Sequence, residues 1–364
     1  MRAVIDNQIF CLQRHGGVSR YFVELADSLK KSTSDMDLKI AAPLHFNFYL
    51  AQSKSYKRGN FYLPKSTNVL NFNLRVRQLS SFIANRQIRH FNPNVIHETF
   101  YSEIDPWKLK IPRVITIYDL IRETQEFQGP QVERKKAALS RASQVICISK
   151  DTKAKLQHFY NIDDEKISVI HLGVSKLFFT AKSDDERKKE ILFVGQRSGY
   201  KDFFTLAKAF SVAKCKKENF KLVAFGGGPF TQSERDTFRD LGIPSKSIEY
   251  VGGGDDVLKK KYRSASVLVT PSTSEGFGLP IVEAMAGETP IICSDIPVFR
   301  EIAGNVARYF ITGDYQQLSE IIDDVVLGYS KCKVTTTDGL ERAKLFSWDE
   351  CALRTLEVYK KAQN

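Results

Sequence analysis

The sequence feature that most constrains the fold is the segment at residues 270–290, which reads TPSTSEGFGLPIVEAMAGETP. The apolar run at 266–270 is typical of a strand inside a parallel sheet. Two glycines, Gly276 and Gly278, then allow backbone N–H groups to approach a ligand closely where a helix begins near Leu279. Because the N-terminus of a helix carries partial positive charge and unpaired amide donors, the segment predicts an anion site suited to a phosphate.

Two carboxylates lie at fixed spacing in the same segment. The pattern puts Glu283 in the first turn of the helix and Glu275 in the preceding loop, so both can face the crevice at the carboxyl end of the strand. A carboxylate repels phosphate, and each is better suited to accept hydrogen bonds from hydroxyl groups that flank the phosphates, as on a sugar. Taken singly, Glu283 can instead complement the helix dipole, and Glu275 can be a solvated loop residue.

The letters EGFGLPIVEAMA, which begin at Glu275, resemble the hallmark of the retaining glycosyltransferases of family 4, in which seven residues separate two glutamates. The resemblance implies an α/β GT-B fold, with two doubly wound Rossmann-like domains that face each other across a cleft. It also implies a nucleotide diphosphate sugar as co-substrate, with no other cofactor and no bound metal. In such a site Glu275 contacts hydroxyl groups of the donor sugar, and Glu283 holds the ribose. The backbone amides of Phe277, Gly278 and Leu279 meet the phosphates.

Length and composition fit this architecture. A chain of 364 residues suits two α/β domains of roughly 150 to 200 residues each. The hydrophobic content of 42%, with no apolar stretch of about 20 residues, favours a soluble protein without a transmembrane helix. The polar start, MRAVIDNQIF, is unlike a secretory signal. The six cysteines show neither a C-x-x-C motif nor zinc-ligand spacing, so we expect reduced thiols in a cytoplasmic protein.

The resemblance also suggests where the domains divide. The segment ISVIHLGVSKLFF carries the interdomain crossing in relatives, and we place the boundary near Gly173. Residues 1–172 then form an N-terminal domain on the acceptor side of the cleft, and residues 173–345 form a C-terminal domain that binds the nucleotide sugar. Residues 346–364 contain a last helix that returns to pack on the N-terminal domain. Its predicted apolar face comprises Ala352, Leu353, Leu356 and Tyr359.

Positive charge is concentrated in the N-terminal half. The net charge is +12, and no acid occurs between Asp37 and Glu98, where basic and aromatic side chains are interleaved. Relatives often use lipid-linked diphosphate acceptors, so this stretch predicts peripheral association with an anionic inner-membrane surface, with Arg75 and Arg77 on the acceptor and membrane side. The same residues can also form an ordinary solvated helix face. We expect no nucleic-acid partner, because no nucleic-acid-binding signature is present.

Two glycines precede the first helix, which we expect from about Arg20 to Lys30. Gly16 and Gly17 let the first amides of that helix approach a phosphate. Family members commonly place a Gly-Gly pair here against the donor diphosphate. Alone, the pair also fits a tight connection between a strand and a helix.

Polar side chains follow two later strands of the N-terminal half. Many family members have His-Asp after the second of these strands, where the histidine contacts the donor sugar, whereas this chain has Tyr118 and Asp119. Tyrosine donates one hydrogen bond but does not titrate near neutral pH, so an acid–base role assigned to the histidine does not carry over. His97, in the first of the two strands, is a second candidate for the acceptor side, although a single histidine there can be structural.

Cations and glycines follow the first strand of the C-terminal domain. Gly195 ends that strand, and Arg197 and Lys201 flank a second glycine at the turn into the next helix. Cations at such a turn can clamp a diphosphate and offset the charge of the leaving group, and the family uses an arginine and a lysine here in this way. The alternative is a pair of surface cations. Further on, Gly253 lies in a glycine-rich turn whose backbone meets the nucleobase in relatives.

The sequence thus predicts a retaining glycosyltransferase that moves a hexosyl unit from a nucleotide diphosphate sugar to a sugar or lipid-linked saccharide, in surface polysaccharide or lipopolysaccharide biosynthesis. The acceptor hydroxyl attacks on the face from which the diphosphate departs, and a diphosphate oxygen takes the proton. A covalent intermediate on Glu275 is the rival mechanism. Two other functions stay open: a nucleotide-sugar epimerase or phosphorylase of the same architecture, and a catalytically idle module on an anionic surface, which Tyr118 suggests.

Overall fold

The computed structural model of the chain divides into two compact α/β units. Unit 1 comprises Met1–Gly173 and Ser347–Asn364, and unit 2 comprises Val174–Phe346. The structure describes residues 1–33, 36–56, 59–63, 70–103, 105–125, 129–179, 187–328 and 336–364, with 70–73 described by their backbone alone.

Unit 1 is built on a parallel sheet. Its strands are β1 (Arg2–Ile5), β2 (Asp37–Ile40), β3 (Leu44–His45), β4 (Phe61–Tyr62), β5 (Val95–Glu98), β6 (Arg113–Ile117), β7 (Gln144–Cys147) and β8 (Ile167–Val169). Its helices before the domain crossing are α1 (Gly17–Ser32), α2 (Phe48–Gln52), α3 (Leu70–Phe91), α4 (Ile121–Thr124), α5 (Pro130–Ser140) and α6 (Lys150–Tyr160). Six strands form the main sheet in the order β2-β1-β5-β6-β7-β8, and β3 pairs with β4.

The central strands of unit 1 are apolar because helices cover the sheet. Every residue of β5, β6 and β7 is buried, as expected for strands of a parallel sheet that is covered on both faces. One core cluster joins Ile96 of β5 to Ile88 of α3. Another joins Ile115 of β6 to Leu139 of α5 and Leu156 of α6.

Unit 2 repeats this architecture. Its strands are β9 (Lys188–Val194), β10 (Lys221–Phe225), β11 (Ile248–Val251), β12 (Ala265–Thr270), β13 (Ile291–Ser294) and β14 (Arg308–Phe310). Its helices are α7 (Phe203–Val212), α8 (Gln232–Asp240), α9 (Asp255–Ser264), α10 (Leu279–Ala286), α11 (Pro297–Ala303), α12 (Tyr315–Leu327) and α13 (Thr336–Ala343). All six strands are parallel in the order β11-β10-β9-β12-β13-β14. Aromatic side chains of β9 and α7, such as Phe193, Phe203 and Phe210, fill its core.

The last helix, α14 (Trp348–Lys361), belongs to unit 1 and packs against α1. Ser28 of α1 donates a hydrogen bond to Asp349 at 3.2 Å, and the rings of Tyr21 and Trp348 lie 6.0 Å apart. The end of the chain therefore completes the fold of the first unit.

One part of the predicted face of α14 is wrong. Ala352 and Tyr359 are buried, but Leu353 is 45% exposed. The buried face instead passes through Thr355 and Val358, which lie three and six positions after Ala352. Spacings of three and four residues lie on one face of a helix, whereas Leu353 is rotated away from that face.

Each sheet has one point where the order of strand addition reverses. In unit 1 this point lies between β1 and β5, and in unit 2 it lies between β9 and β12. In open α/β sheets, ligands bind outside the carboxyl ends of the strands at such points. The loops that follow these four strands are therefore the first places to search for function. None of the helices in the described part of the chain is both long and apolar enough to cross a bilayer.

Candidate functional site

An ion pair joins the two loops at the reversal point of unit 2. Lys201 Nζ lies 2.5 Å from Glu275 Oε1, and Ser272 Oγ donates to the same oxygen at 2.9 Å. The backbone N–H of Thr273 donates to the carbonyl of Tyr200 at 2.7 Å. The loops after β9 and β12 therefore hold a cation and a carboxylate side by side at the carboxyl edge of the sheet.

Lys201 is held in its charged state. Burial lowers the pKa of a lysine, but the charge and hydrogen bond of Glu275 outweigh this effect, so the pKa of Lys201 is raised. An ammonium has three N–H donors, so Lys201 can keep this bond and still donate to an anionic ligand. In the described part of the chain, the hydrogen bonds to Glu275 both end on Oε1, which leaves Oε2 to accept from a ligand.

Glu283 lies in the second turn of α10, so its predicted place in the first turn is wrong, because the helix begins at Leu279. Its carboxylate is buried and accepts a hydrogen bond from the hydroxyl of Tyr262 at 2.9 Å. Gly278 precedes the helix with φ of 100°, and a Cβ there would lie 3.0 Å from Cε1 of Phe299. The entry into α10 therefore requires a glycine, both for its backbone conformation and for its close packing.

Phe277, just before this glycine, is buried. Its ring packs edge-on against Phe346, with 5.7 Å between the centroids. The side chain thus anchors the loop, and only its backbone can serve a ligand at the start of α10.

Arg197 is buried and bonded to groups of unit 2 itself. Its Nε lies 2.6 Å from Glu234 Oε1 and its Nη2 lies 3.2 Å from Oε2. It also donates to the carbonyls of Gly226 at 2.9 Å and Pro229 at 3.3 Å. These bonds use four of the five N–H donors of a guanidinium. Because Glu234 completes a capping box with Thr231 at the start of α8, Arg197 joins three segments of the unit.

Glycines at three turns of unit 2 disfavour side chains, and one of them, Gly227, lies against Arg197. A Cβ on Gly227 would lie 2.9 Å from Arg197 Nη1 and 3.1 Å from the carbonyl oxygen of Gly195. Gly227 has φ of 72°, and Gly195 has φ of 136°. At Gly253, with φ of 152°, a Cβ would lie 2.7 Å from Cγ2 of Val257. Side chains are thus excluded from the backbone at these turns.

In unit 1, α1 begins at Gly17, three residues before the predicted start at Arg20. The helix starts earlier because the carbonyl of Gly16 already accepts a hydrogen bond from the N–H of Arg20 at 3.0 Å. The N–H of Ser19 donates to Oε1 of Gln13 at 3.3 Å, and a Cβ on Gly16 would overlap the Gln13 side chain. The two glycines therefore lie at the first turn of α1, with a neutral cap on one of its amides.

Tyr118 and Asp119 make hydrogen bonds to neighbouring segments of unit 1. The hydroxyl of Tyr118 donates to the carbonyl of Thr99 at 3.2 Å, and burial raises the pKa of Tyr118 well above its usual value. Oδ1 of Asp119 accepts from the N–H of Ile121 at 3.2 Å, and its carbonyl accepts from Lys135 Nζ at 2.9 Å. Tyr118 is therefore neutral and ties the loop after β6 to the loop after β5.

His97 is wholly buried in unit 1. Its Nδ1 lies 2.8 Å from the hydroxyl of Tyr359, and its Nε2 lies 2.8 Å from Oγ1 of Thr116. Burial lowers its pKa to about 3, so the ring is neutral. The geometry fits the structural alternative for this histidine, because both nitrogens are bonded within the unit and one of them holds α14 to the sheet.

The two arginines predicted for the acceptor side lie on different faces of α3. Arg75 is exposed and shares a face with Phe82, which is 65% exposed. Arg77 instead lines a cavity, together with Ser81. Arg75 therefore faces outward, and Arg77 faces the cavity.

No group of three or more histidines, cysteines and carboxylates is arranged to hold a metal within the described ranges. Five cysteines are buried free thiols, and the sixth, Cys332, lies outside those ranges.

Two family models match successive halves of the chain. The Glycosyltransferase Family 4 model matches residues 15–176, and the Glycosyl transferases group 1 model matches residues 175–340. The chain belongs to glycosyltransferase family 4. Its matched regions meet close to the division between unit 1 and unit 2.

Known relatives extend this result. The chain is 33% identical over 191 residues to the O-antigen chain mannosyltransferase RfbU of Salmonella typhimurium, across 52% of this chain and 53% of that protein. It is 36% identical over 114 residues to the O-antigen chain mannosyltransferase B of Escherichia coli, across 31% of this chain and 30% of that one. The chain thus spans about half or less of the length of these relatives.

A solved structure shows the fold over the full length. Anabaena HepE in complex with UDP and glucose superposes with a TM-score of 0.75, at 16% identity, across 99% of both chains. This family 4 chain therefore has the GT-B fold, with two Rossmann-like units.

Several site residues of this family 4 member were missed by sequence reasoning. Ser272 donates to Glu275 from three positions earlier, a spacing that could have been noticed. Glu234 pairs with Arg197 from 37 positions later, and Tyr262 donates to Glu283 from the end of α9. Only the three-dimensional fold brings such distant partners together.

Proposed function

We propose that the chain is a retaining glycosyltransferase that transfers a hexosyl unit from a nucleotide diphosphate sugar to a sugar or lipid-linked saccharide, in surface polysaccharide biosynthesis. The observation that supports this most is the pairing of Lys201 with Glu275 at the reversal point of unit 2. A cation that keeps free N–H donors suits a diphosphate, and a carboxylate with one open oxygen suits a sugar hydroxyl. The names of the mannosyltransferase relatives support a hexosyl donor.

The proposed roles follow from the contacts. Lys201 and the amides at the start of α10 bind the diphosphate and stabilise the charge that grows on it as the bond to the sugar breaks. Glu275 accepts a hydrogen bond from the donor sugar, and Glu283 accepts one from the ribose. Arg197 mainly positions the glycine turn after β10, and its fifth N–H is the one left for a phosphate.

In the reaction, the acceptor oxygen forms a bond to the anomeric carbon on the face that the diphosphate leaves. The bond between that carbon and the diphosphate oxygen breaks, and this oxygen takes the hydroxyl proton. We rank direct attack by Glu275 lower, because Lys201 and Ser272 both donate to Oε1 and lower the nucleophilicity of the carboxylate, while Oε2 is assigned to a sugar hydroxyl.

A transfer assay tests the proposal. The full chain is incubated with UDP-, GDP-, ADP- and dTDP-hexoses and a panel of methyl glycosides and polyprenyl diphosphate sugars, and the product anomer is assigned by NMR. We expect a product that keeps the donor's anomeric configuration, and a loss of about 100-fold or more in kcat for Glu275→Gln. Inversion would contradict the retaining mechanism, and conversion of the nucleotide sugar to its epimer without acceptor would replace transferase with epimerase.

Glu190→Gln is the matched control for that assay. Lys261 pairs with Glu190 at 3.1 Å in the same unit, with side-chain exposures of 17% and 11%, against 17% and 10% for Lys201 and Glu275. If Glu190→Gln loses activity as Glu275→Gln does, the loss follows from breaking a part-buried ion pair of unit 2. Glu275 would then have no specific role in transfer.

We also propose that the outward face of α3 docks on an anionic membrane. Phe82 is 65% exposed at the centre of this face, Leu79 is 50% exposed, and Arg75 and Arg86 flank them. Exposed apolar side chains beside cations suit the interface of a bilayer with anionic lipids.

Vesicle co-sedimentation tests this docking. Wild-type protein should bind vesicles that contain phosphatidylglycerol and not vesicles of phosphatidylcholine alone, and Arg75→Glu with Arg86→Glu should abolish binding. Lys246→Glu with Lys260→Glu, two exposed cations of unit 2, makes the same change in net charge and should leave binding intact. Equal losses in both double variants would contradict a role for α3.

A further inference from the structure

A cavity of about 610 Å³ lies in unit 1 at the reversal point between β1 and β5. Asn7 follows β1 and Phe100 follows β5, and both line it, as does Arg77 of α3. Its volume lies in the range of small-molecule sites, and its position matches the place where open α/β sheets bind ligands. We call it the Asn7 cavity.

Hydrogen bonds to the buried carboxylate of Asp6 hold the two loops that form the Asn7 cavity. Asp6 is fully buried, and its Oδ1 accepts hydrogen bonds from the N–H of Thr99 at 3.1 Å and from Oγ1 of Thr99 at 2.5 Å. Its Oδ2 accepts from Nε2 of Gln8 at 2.7 Å. Because these bonds join the loop after β1 to the loop after β5, the cavity is preformed.

One polar atom in the wall lacks a partner. Asn7 is 1% exposed, and its Nδ2 lies 3.1 Å from Ser80 Oγ and 3.3 Å from Ser81 Oγ. Its Oδ1 is buried and receives no hydrogen bond from the described residues. A 180° rotation of the carboxamide would place an N–H donor there instead. A buried polar group without a partner is unfavourable, and a sugar hydroxyl can satisfy either orientation, because it both donates and accepts.

The charge of the lining is mostly positive. Arg77 of α3 and Arg134 of α5 are exposed and come from two different helices, and Glu103 is the acidic side chain of the lining. The rings of Phe100 and Tyr101, which also line the cavity, are stacked with centroids 5.0 Å apart. A ligand here meets two cations, an apolar aromatic wall and a buried hydrogen-bond acceptor.

We propose that the Asn7 cavity binds the acceptor as a saccharide that carries an anionic group. A ring hydroxyl bonds to Asn7, the sugar ring packs against Phe100, and a phosphate or carboxylate lies near Arg77 and Arg134. This inference rests on the proposed glycosyl transfer and names the class of acceptor. The anionic group is either part of the sugar, as in a uronic acid, or the phosphate that links the sugar to a carrier lipid.

Binding to the full chain without nucleotide sugar tests the proposal. Isothermal titration compares methyl glucoside, methyl glucuronide, mannose 1-phosphate, a short-chain polyprenyl diphosphate sugar and inorganic phosphate. We expect the charged saccharides to bind about tenfold or more tightly than methyl glucoside and inorganic phosphate. Preference for the glucuronide assigns the charge to the sugar, and preference for a phosphate-linked sugar assigns it to the carrier. Equal binding of charged and uncharged sugars, or of inorganic phosphate and sugar phosphate, would overturn the proposal.

Variants separate the two contacts. Arg77→Gln and Arg134→Gln should each weaken the charged saccharides about tenfold and leave methyl glucoside unchanged. Asn7→Ala should weaken charged and uncharged sugars alike, by about fivefold or more. Lys136→Gln removes a neighbouring cation of α5 that does not line the cavity, and it should change nothing. The arginine variants are on the surface and keep the test valid if Asn7→Ala does not fold.

Binding of nucleotide sugars to the same protein, measured separately, distinguishes a failure of this acceptor site from a failure of the proposed glycosyl transfer. If nucleotide sugars bind and no saccharide binds in these assays, the Asn7 cavity is not the acceptor site, whereas the transferase proposal stands. If charged saccharides bind and no nucleotide sugar does, the cavity is a saccharide site, and the transferase proposal fails.

Discussion

Arg197 and Lys201 follow the same strand, β9, but their surroundings differ. Lys201 makes one bond to Glu275 at the edge of the sheet and retains donors for a ligand. Arg197 is 5% exposed, and four of its N–H groups donate to Glu234 and to carbonyls of the glycine turn. The lysine is therefore suited to ligand binding, and the arginine is suited to holding the unit in shape.

Substitution should separate these roles. Arg197→Ala leaves the carboxylate of Glu234 without its buried partner and should lower the free energy of unfolding by about 3 kcal/mol. Lys344→Ala breaks an exposed pair with Glu341, with side-chain exposures of 55% and 63%, and should cost about 1 kcal/mol or less. Urea unfolding of the two variants measures the difference, and equal losses would mean that Arg197 is not a structural brace.

Asp6 should make stability depend on pH. Burial, and the charge of nearby Glu98, raise the pKa of Asp6 from 3.8 to about 6. Because the folded-state pKa exceeds the unfolded one, the folded state binds the proton more tightly. This group's contribution to stability is complete below about pH 4 and is lost as the pH rises through 6.

The variant Asp6→Asn tests this dependence. Relative to Asp6→Asn, the wild type should lose about 2 kcal/mol of unfolding free energy between pH 4 and pH 7. Urea unfolding of both proteins at pH 4, 5, 6 and 7 gives the difference at each pH, which cancels the contributions of the other groups. A difference that stays constant with pH would show that Asp6 has an ordinary pKa.

At the scale of elements, the entry into α10 is the most constrained connection of unit 2. The loop after β12 supplies Glu275, and the helix that follows buries Glu283 against Tyr262. Between them, Gly278 adopts a φ of 100° and lies against Phe299. The backbone of this glycine therefore sets the distance between a loop carboxylate and a helix carboxylate.

Alanine at position 278 should disturb that connection. Gly278→Ala adds a left-handed backbone cost and a contact at 3.0 Å, and we expect a loss of about 2 to 3 kcal/mol with weaker nucleotide binding. Gly242→Ala is the matched control, because its φ is 64° and a Cβ there has no neighbour within 4 Å, so only about 1 kcal/mol is lost. Thermal unfolding checks both, and equal shifts would remove the packing argument.

The apolar periodicity of the sequence predicted the strand and the helix of the main motif. It did not predict which face of a helix is buried, because contacts with other elements determine that face. Strand β12 lies where the apolar run placed it, and helix α10 begins at Leu279, directly after the glycines, as predicted. The face of α14 was partly wrong at Leu353, because the packing of this helix against α1 sets which side is buried. Helix starts shifted at α1, where Gly16 already forms the first turn.

At the scale of the whole molecule, each unit has a candidate ligand site at the reversal point of its sheet. The reversal point of unit 2 gathers Lys201 and Glu275. The sequence singled out Glu275 from the spacing of two glutamates, and Lys201 from its place beside a glycine at a turn between a strand and a helix. The reversal point of unit 1 gathers Asn7 and Arg77, which are 70 positions apart, and only the sheet order reveals this. Motifs thus located the residues that we propose bind the donor, whereas the partners of these residues depend on long-range contacts.

The most direct test of the central claim is whether a nucleotide diphosphate sugar binds at the pair of Lys201 and Glu275. Thermal unfolding is measured against UDP-, GDP-, ADP- and dTDP-sugars at about 100 times the dissociation constant, which should stabilise the protein by roughly 2.7 kcal/mol. For a unit of this size that corresponds to about 5 to 11 °C. We expect such a shift with one nucleobase, its loss in Lys201→Ala, and its retention in Lys261→Ala. No shift with any of the four, or a full shift in Lys201→Ala, would contradict the account.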